Sequence, residues 1–186
     1  MIPIIHRVNT SNELKKVDKE HGVEIDVRCF EEKIVLNHDP FNSGENFQDY
    51  LKHFEHKLLV VNIKETGIEE IVIKKTKEIL EDRDFFLLDI EIPFVVNQKG
   101  FLKKHISARY SEFEKFESLI EFNDLADWVW IDTFTKLPEL NQSIVDYLKN
   151  KKTCLVSPSR WGRSEDLDKY LIEFEKYSFQ PNYIMN

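Results

Sequence analysis

The chain has 186 residues, of which 41% are hydrophobic and 12% aromatic, so it can bury one sizeable core and is predicted to form a single domain over residues 1–186. Its formal net charge of -8 argues against nucleic acid as the main partner, because binding to a phosphate backbone draws on clustered lysines and arginines. The sequence shows neither a basic, apolar leader nor a run long enough to span a bilayer. We therefore expect a cytoplasmic protein without a membrane span.

Short apolar runs alternate with longer amphipathic segments along the chain, a pattern that is typical of β/α folds. The apolar runs predict strands at residues 2–6, 22–27, 58–64, 85–90, 106–109, 128–132, 153–157 and 181–186. The first helix is predicted from a cap at residues 10–12 through residue 20, and the second from the end of the 39–46 loop to about residue 54. The others are predicted over residues 66–80, in a short segment that begins near residue 93, and over 112–119, 137–149 and 164–177. Residues 39–46, D-P-F-N-S-G-E-N, are predicted to be a loop.

Eight strands joined by seven crossovers fit two architectures. One is a compact, TIM-like (β/α)8 barrel that lacks its final helix, and the other is a doubly wound open sheet. A barrel that ends on a strand exposes one apolar flank, for which we expect a homodimer or a covering by the neighbouring helix.

The chemistry of the chain is concentrated between residues 22 and 39. In V-E-I-D-V, Glu24 and Asp26 alternate with aliphatic residues, so both carboxylates leave a strand on the same face. Two acids that face inward need a cation. The next run, K-I-V-L-N-H-D, is predicted to be a second short strand that delivers His38 and Asp39 where it stops. Alone, however, an E-x-D on a strand is more often a solvated face.

The segments I-I-H-R, G-V-E-I-D-V and N-H-D-P together resemble the signature of the glycerophosphodiester phosphodiesterase family, in order and in spacing. V-V-N-I-K and W-I-D-T-F are similar to later parts of that family, and to the related sphingomyelinase D-like toxins and bacterial phosphatidylinositol phospholipases C. The likeness is strong over roughly residues 2–65 and weak beyond them. It favours the barrel over the open sheet, with the site at the carboxyl ends of the strands.

The resemblance implies a phosphoric diester hydrolase that acts on a small glycerol-, sugar- or lipid-headgroup phosphodiester, with a place in lipid metabolism. Two histidines would serve as acid and base, and which is which stays open. Hard oxygen ligands favour Mg²⁺ or Ca²⁺ over zinc, since neither cysteine falls in a ligand spacing. The implied roles are catalysis by His6 and His38, phosphate binding by Arg7 and Lys64, metal binding by Glu24, Asp26 and Asn62, and a possible site mouth at Trp130 and Asp132.

Three departures from the family pattern support an alternative function. Val8 replaces the glycine of H-R-G, and Asn62 stands where an acid would be the third metal ligand. The insertion that usually follows H-D shrinks to P-F-N-S-G-E-N. The alternative is a catalytically weakened barrel that binds a phosphorylated ligand or partner without turnover.

Overall fold

The computed structural model describes residues 1–81 and 83–186. Its strands are β1 (Ile2–Ile5), β2 (Gly22–Phe30), β3 (Lys33–Leu36), β4 (Glu45–Asn46), β5 (Leu58–Ile63), β6 (Phe85–Leu88), β7 (Ser107–Tyr110), β8 (Trp128–Ile131), β9 (Lys152–Val156) and β10 (Tyr183–Met185). Its α-helices are α1 (Ser11–Leu14), α2 (Phe47–Leu51), α3 (Glu69–Leu80), α4 (Ile92–Asn97), α5 (Phe116–Glu121), α6 (Gln142–Leu148) and α7 (Leu167–Glu175). The mixed α/β class is therefore confirmed.

The contacts within the chain divide it into two compact units. The amino-terminal unit comprises Ile4–Asn97, and the carboxy-terminal unit comprises Met1–Pro3 together with Gln98–Asn186. The prediction of a single domain over residues 1–186 stays a prediction, as does the closure of the strands into a barrel. Across residues 1–81 and 83–186, no helix is both long and apolar enough to cross a membrane.

The amino-terminal unit is built on parallel strands in the order β1-β2-β5-β6. Strand β2 is central and pairs with β5 over Gly22–Val27, which sets Asp26 opposite Asn62. The aliphatic residues of both strands are fully buried, and α3 packs on α2 beside them. Both faces of a parallel sheet are usually covered. The side chains of Glu24 and Asp26 on β2 therefore point into a buried region rather than into solvent.

A short antiparallel addition extends the far end of β2. Strand β3 pairs with residues 27–30 of β2, and the turn between them places Glu31 and Glu32 at positive φ, as a two-residue hairpin requires. The second short strand predicted within K-I-V-L-N-H-D is thus confirmed over Lys33–Leu36. The predicted loop 39–46 is wrong at its end, where β4 pairs with β3. Gly44 permits this pairing, since an added Cβ would lie 2.1 Å from the backbone oxygen of Leu36.

The carboxy-terminal unit contains parallel strands in the order β7-β8-β9-β10. The predicted strands in this half of the chain are confirmed to within a residue or two at their ends. Trp128 and Trp130 are fully buried on β8, where they fill much of this core. Helix α1, in contrast, ends at Leu14 rather than near residue 20, and the backbone bonds tighten there to Lys16–Glu13 and Val17–Leu14.

Candidate functional site

Glu24 and Asp26 form the centre of the candidate site, at the middle of β2 in the amino-terminal unit. Both are almost completely buried, with 1% and 0% of their surface exposed. The alternative of a solvated acidic face is therefore wrong. Burying two carboxylates this close is costly unless cations or hydrogen-bond donors surround them.

Glu24 is held by the turn that follows β1 and by β5. The backbone N–H of Arg7 donates to its Oε2 at 2.8 Å, and the amide nitrogen of Asn62 donates to its Oε1 at 3.0 Å. Arg7 reaches this position at a φ of 55°, in the turn that follows β1. Burial, and then the charge of Asp26, raise the pKa of Glu24 to about 7. Nε2 of His6 lies 3.9 Å from its Oε2, so the predicted H-R and E-x-D residues do meet.

Asp26 has a different set of neighbours. Its Oδ2 accepts from the amide of Asn9 at 2.9 Å, while the oxygen of Asn9 accepts the backbone N–H of Asp26 at 2.8 Å. The guanidinium of Arg7 lies 3.8 Å from Oδ2, and the ammonium of Lys64 lies 3.3 Å from Oδ1. Oδ1 nevertheless accepts no hydrogen bond from the described residues. Both predicted phosphate-binding cations thus lie against Asp26.

Arg28 connects the two segments on either side of the acids. Its Nε donates to the carbonyl of His38 at 3.0 Å, and a second guanidinium nitrogen donates to the carbonyl of Lys64 at 2.9 Å. Sequence reasoning missed Arg28 and Asn9. Arg28 could have been found, because it continues the alternation of Glu24 and Asp26 on β2, whereas Asn9 sits in a turn without a periodic signal.

His38 is positioned through its main chain and through Asp39. Its Nδ1 lies 2.8 Å from the carboxylate of Asp39, and this hydrogen bond lowers the pKa of Asp39. The His38 side chain is 39% exposed, against 16% for His6. Arg28, two residues after Asp26 on β2, holds the main chain of His38 through its Nε. The pairing of the two histidines across one phosphorus stays a prediction.

The predicted metal ligands offer two carboxylates and an amide oxygen. Within residues 1–81 and 83–186, no group of three or more His, Cys, Asp or Glu residues could hold a metal ion. However, Oδ1 of Asp26 and Oδ1 of Asn62 are both buried without a hydrogen-bond donor, and the two residues face each other in the register of β2 and β5. Buried oxygens without donors on two paired strands are of the kind that a hard cation such as Mg²⁺ or Ca²⁺ prefers.

Trp130 and Asp132 lie in the carboxy-terminal unit, at the end of β8. Asp132 is 2% exposed and accepts a 2.5 Å hydrogen bond from Arg109 and a 2.9 Å bond from the backbone N–H of Thr133. Burial raises the pKa of Asp132, while Arg109 and the ring N–H groups of Trp130 and Trp161 oppose that rise. These contacts account for the burial of Asp132, and its place at a site mouth stays a prediction.

Comparison with solved structures identifies a fold neighbour. The chain superposes on the crystal structure of a glycerophosphoryl diester phosphodiesterase from Parabacteroides distasonis ATCC 8503 with a TM-score of 0.65. The match covers 99% of this chain and 81% of the other, at 10% sequence identity. No family model and no curated protein matches the sequence. The chain therefore has a fold like that of a glycerophosphoryl diester phosphodiesterase.

Proposed function

We propose that the protein is a metal-dependent phosphoric diester hydrolase that acts on a small glycerol-, sugar- or lipid-headgroup phosphodiester. The observation that carries this proposal is the pair of buried acids on β2, flanked by His6, Arg7 and Lys64, of which Asp26 keeps one oxygen, Oδ1, without a hydrogen bond from the described residues. Buried ionisable groups with shifted pKa values and specific charged partners are typical of functional sites. The fold likeness to a phosphodiesterase points the same way.

His6 and His38 are the proposed proton carriers. Hydrolysis needs one group to take the proton of the attacking hydroxyl or water and another to give a proton to the leaving oxygen. Glu24, 3.9 Å from His6, favours the protonated imidazole whenever the carboxyl is ionised. Asp39 fixes the orientation of the His38 ring through Nδ1, so Nε2 is the nitrogen that would exchange the proton.

Arg7 and Lys64 are the proposed phosphate-binding cations. Both reach Asp26 from chain segments that follow parallel strands, so a phosphate over this carboxylate would meet two positive charges. Glu24, Asp26 and Asn62 would hold the Mg²⁺ or Ca²⁺ ion. When bound, that ion would polarise a phosphoryl oxygen and stabilise the charge that develops on it.

Binding of a phosphorylated ligand without turnover is the second candidate function. It is favoured by Lys64, whose ammonium lies 3.3 Å from the Asp26 oxygen that a metal ion would use. It is also favoured by Asn62, because a neutral amide oxygen binds a divalent ion more weakly than a carboxylate does. In this function the lysine replaces the metal ion as the counter-charge of the acids.

A panel assay separates the two functions. The purified protein is incubated with glycerol-, sugar- and headgroup-linked phosphodiesters in Mg²⁺, Ca²⁺ or EDTA, and alcohol release is followed. We expect turnover that EDTA abolishes and that Mg²⁺ or Ca²⁺ restores. Saturable binding of the same esters without any release, in all three conditions, would instead support the binding function. The cytoplasmic location, the link to lipid metabolism and the homodimer stay predictions.

A further inference from the structure

Arg28 uses its side chain in an uncommon way within the amino-terminal unit. It lies on β2 and continues the alternation of Glu24 and Asp26, so it leaves the strand on the same face as the two acids. Its guanidinium forms no ion pair with an acid among residues 1–81 and 83–186. Its N–H groups donate instead to the main-chain carbonyls of His38 and Lys64, both of which are proposed to act on the substrate.

The two carbonyls lie just beyond the ends of strands. Strand β3 ends at Leu36 and β5 ends at Ile63, so neither carbonyl has a partner in a strand ladder. Such a carbonyl takes its hydrogen bond from a side chain or from water. Nε of Arg28 lies 3.0 Å from the oxygen of His38, and a second nitrogen lies 2.9 Å from the oxygen of Lys64. A planar guanidinium can serve both oxygens at once, because its N–H groups point in fixed, diverging directions.

Strand β2 also holds the same two segments by their N–H groups. The N–H of Asn37 donates to the carbonyl of Asp26 at 3.0 Å, and the N–H of Lys64 donates to the carbonyl of Val27 at 3.1 Å. These bonds fix where each segment meets β2. Arg28 then fixes the direction in which each segment continues, and loss of its guanidinium would free the carbonyl side alone.

The side chains carried by these segments depend on that anchoring. The side chain of His38 is 39% exposed, and its hydrogen bond to Asp39 is made within the same segment. Packing therefore does little to hold the ring, and the main chain sets its place. The ammonium of Lys64 lies 3.3 Å from Oδ1 of Asp26, so a shift of its main chain would change this contact directly.

We propose that Arg28 is a positioning residue, which fixes His38 and Lys64 relative to each other through their main-chain carbonyls. One side chain thereby keeps a proton carrier and a phosphate-binding cation at a set separation. The inference rests on the proposed function for the roles of His38 and Lys64, whereas the anchoring can be measured without any substrate.

The first measurement compares two arginines that each bridge two carbonyls. Arg28→Lys keeps the positive charge and loses the planar fork, so it separates geometry from electrostatics. Arg163→Lys is the matched control in the carboxy-terminal unit, because Arg163 donates to the carbonyls of Thr133 and Phe134. The ring nitrogen signals of His38, identified by their loss in His38→Ala, should shift in Arg28→Lys and stay in place in Arg163→Lys. Unmoved signals in folded Arg28→Lys would overturn the proposal whether or not the protein is a hydrolase.

The second measurement follows the turnover of the best phosphodiester. Arg28→Lys should lower kcat by up to about a hundredfold, the cost of displacing a reacting group by about 1 Å. Arg163→Lys should keep kcat near the parental value. When Arg28→Lys is combined with His38→Ala or with Lys64→Ala, the loss should be smaller than the product of the single losses, because Arg28 acts through these two residues. Losses that multiply in both combinations would overturn the proposal.

The two measurements separate a failure of this inference from a failure of the proposed function. A parent that turns over no phosphodiester would refute the hydrolase, while His38 signals that move in Arg28→Lys would still support the anchoring. A parent that turns over its substrate, with parental kcat in Arg28→Lys, would refute the positioning role and keep the hydrolase. If Arg28→Lys does not fold, Arg28→Gln, whose amide can donate to one of the carbonyls, takes its place in both measurements.

Discussion

Each of the two units of the chain buries acidic side chains at the middle or end of a parallel strand, but the hydrogen-bond partners of these acids differ. In the carboxy-terminal unit, Asp132 receives the guanidinium of Arg109 at 2.5 Å and the N–H of Thr133 at 2.9 Å. In the amino-terminal unit, Glu24 receives one backbone N–H and one amide, and Oδ1 of Asp26 receives no hydrogen bond from the described residues. Burial raises the pKa of both Asp132 and Glu24, and for Glu24 it does so to about 7.

The difference separates a structural charge from a functional one. An acid that is paired within its own unit stabilises the fold and gains little from a ligand. Asp26 has the cations of Lys64 and Arg7 at 3.3 and 3.8 Å, but its Oδ1 accepts no hydrogen bond from the described residues, and a metal ion or substrate would supply that partner. The same type of substitution in the two units should therefore have different consequences.

The largest effect is expected from the proposed proton carriers of the amino-terminal unit. His6→Ala and His38→Ala should each lower the turnover of the best phosphodiester by roughly a hundred- to ten-thousandfold, the usual cost of losing a positioned acid or base. Thermal unfolding should change little, since neither side chain belongs to the apolar core. His53→Ala, an exposed histidine of the same unit, is the matched control and should keep parental rates. A variant of His6 or His38 with near-parental turnover would remove that residue from the mechanism.

A pH-dependent stability effect is expected from Glu24. Its pKa is 4.5 when unperturbed and about 7 in the folded chain, so the folded state holds a proton that the unfolded state releases. Stability should therefore fall as the pH rises from about 4.5 to about 7, by about 3 kcal/mol in all for this group. Glu24→Gln has no carboxyl proton to lose at this position. The free energy of unfolding of Glu24→Gln should therefore rise relative to that of the parent across this pH range.

Chemical denaturation in EDTA at several pH values measures this effect. Glu32→Gln, at an exposed position of the hairpin turn, should follow the parent curve. Adding Mg²⁺ should flatten the parent curve, because a nearby cation favours the ionised carboxyl. If the free energy of unfolding of the parent and of Glu24→Gln changed with pH in parallel, the pKa of Glu24 would not be raised in the folded chain.

The same carboxyl-to-amide change at Asp132 should act in the opposite direction. Asp132→Asn removes the acceptor of Arg109, and the new amide donor would face the guanidinium. We expect a loss of about 1–3 kcal/mol in the free energy of unfolding near neutral pH, the typical cost of a lost hydrogen bond to a charged group. Asp168→Asn, at an exposed position of α7, is the control and should change stability little. Unchanged stability with a raised KM would instead place Asp132 at the site mouth.

Much of the fold was predictable because strand periodicity is local. The runs that became β5, β8 and β9 are short, apolar and β-branched or aromatic, and their bounds agree with the structure to within a residue or two. The alternation with aliphatic residues in β2 placed Glu24 and Asp26 on one face, whereas a buried site was favoured only by the family resemblance. Strand β4 was missed because two polar residues, Glu45 and Asn46, carry no periodic signal and pair only through tertiary contact with β3.

The polar contacts of the site were less predictable, since side-chain partners depend on which segments of the chain meet in three dimensions rather than on residue spacing in the sequence. Asn9 meets Asp26 only because the turn after β1 folds back on β2. The link from Arg28 to the carbonyls of His38 and Lys64 joins residues as many as 36 positions apart. The unequal pairing of the acids in the two units likewise arises from three-dimensional neighbours.

The smallest effect expected concerns Asn62, which tests whether the unsatisfied oxygens hold a cation. Glu24 and Asp26 supply two negative charges, and Asn62, opposite Asp26 in the register, supplies only a carbonyl dipole. Asn62→Asp should tighten Mg²⁺ or Ca²⁺ binding on the order of tenfold at pH 8, at the low end of the changes that neighbouring groups make in metal affinity. Calorimetric titration of the parent, Asn62→Asp, Glu24→Gln and the exposed control Asn12→Asp measures this. If Asn62→Asp binds metal as the parent does while Glu24→Gln binds none, Asn62 does not face the ion. If neither variant differs from the parent, the buried acids serve Arg7 and Lys64 rather than a metal.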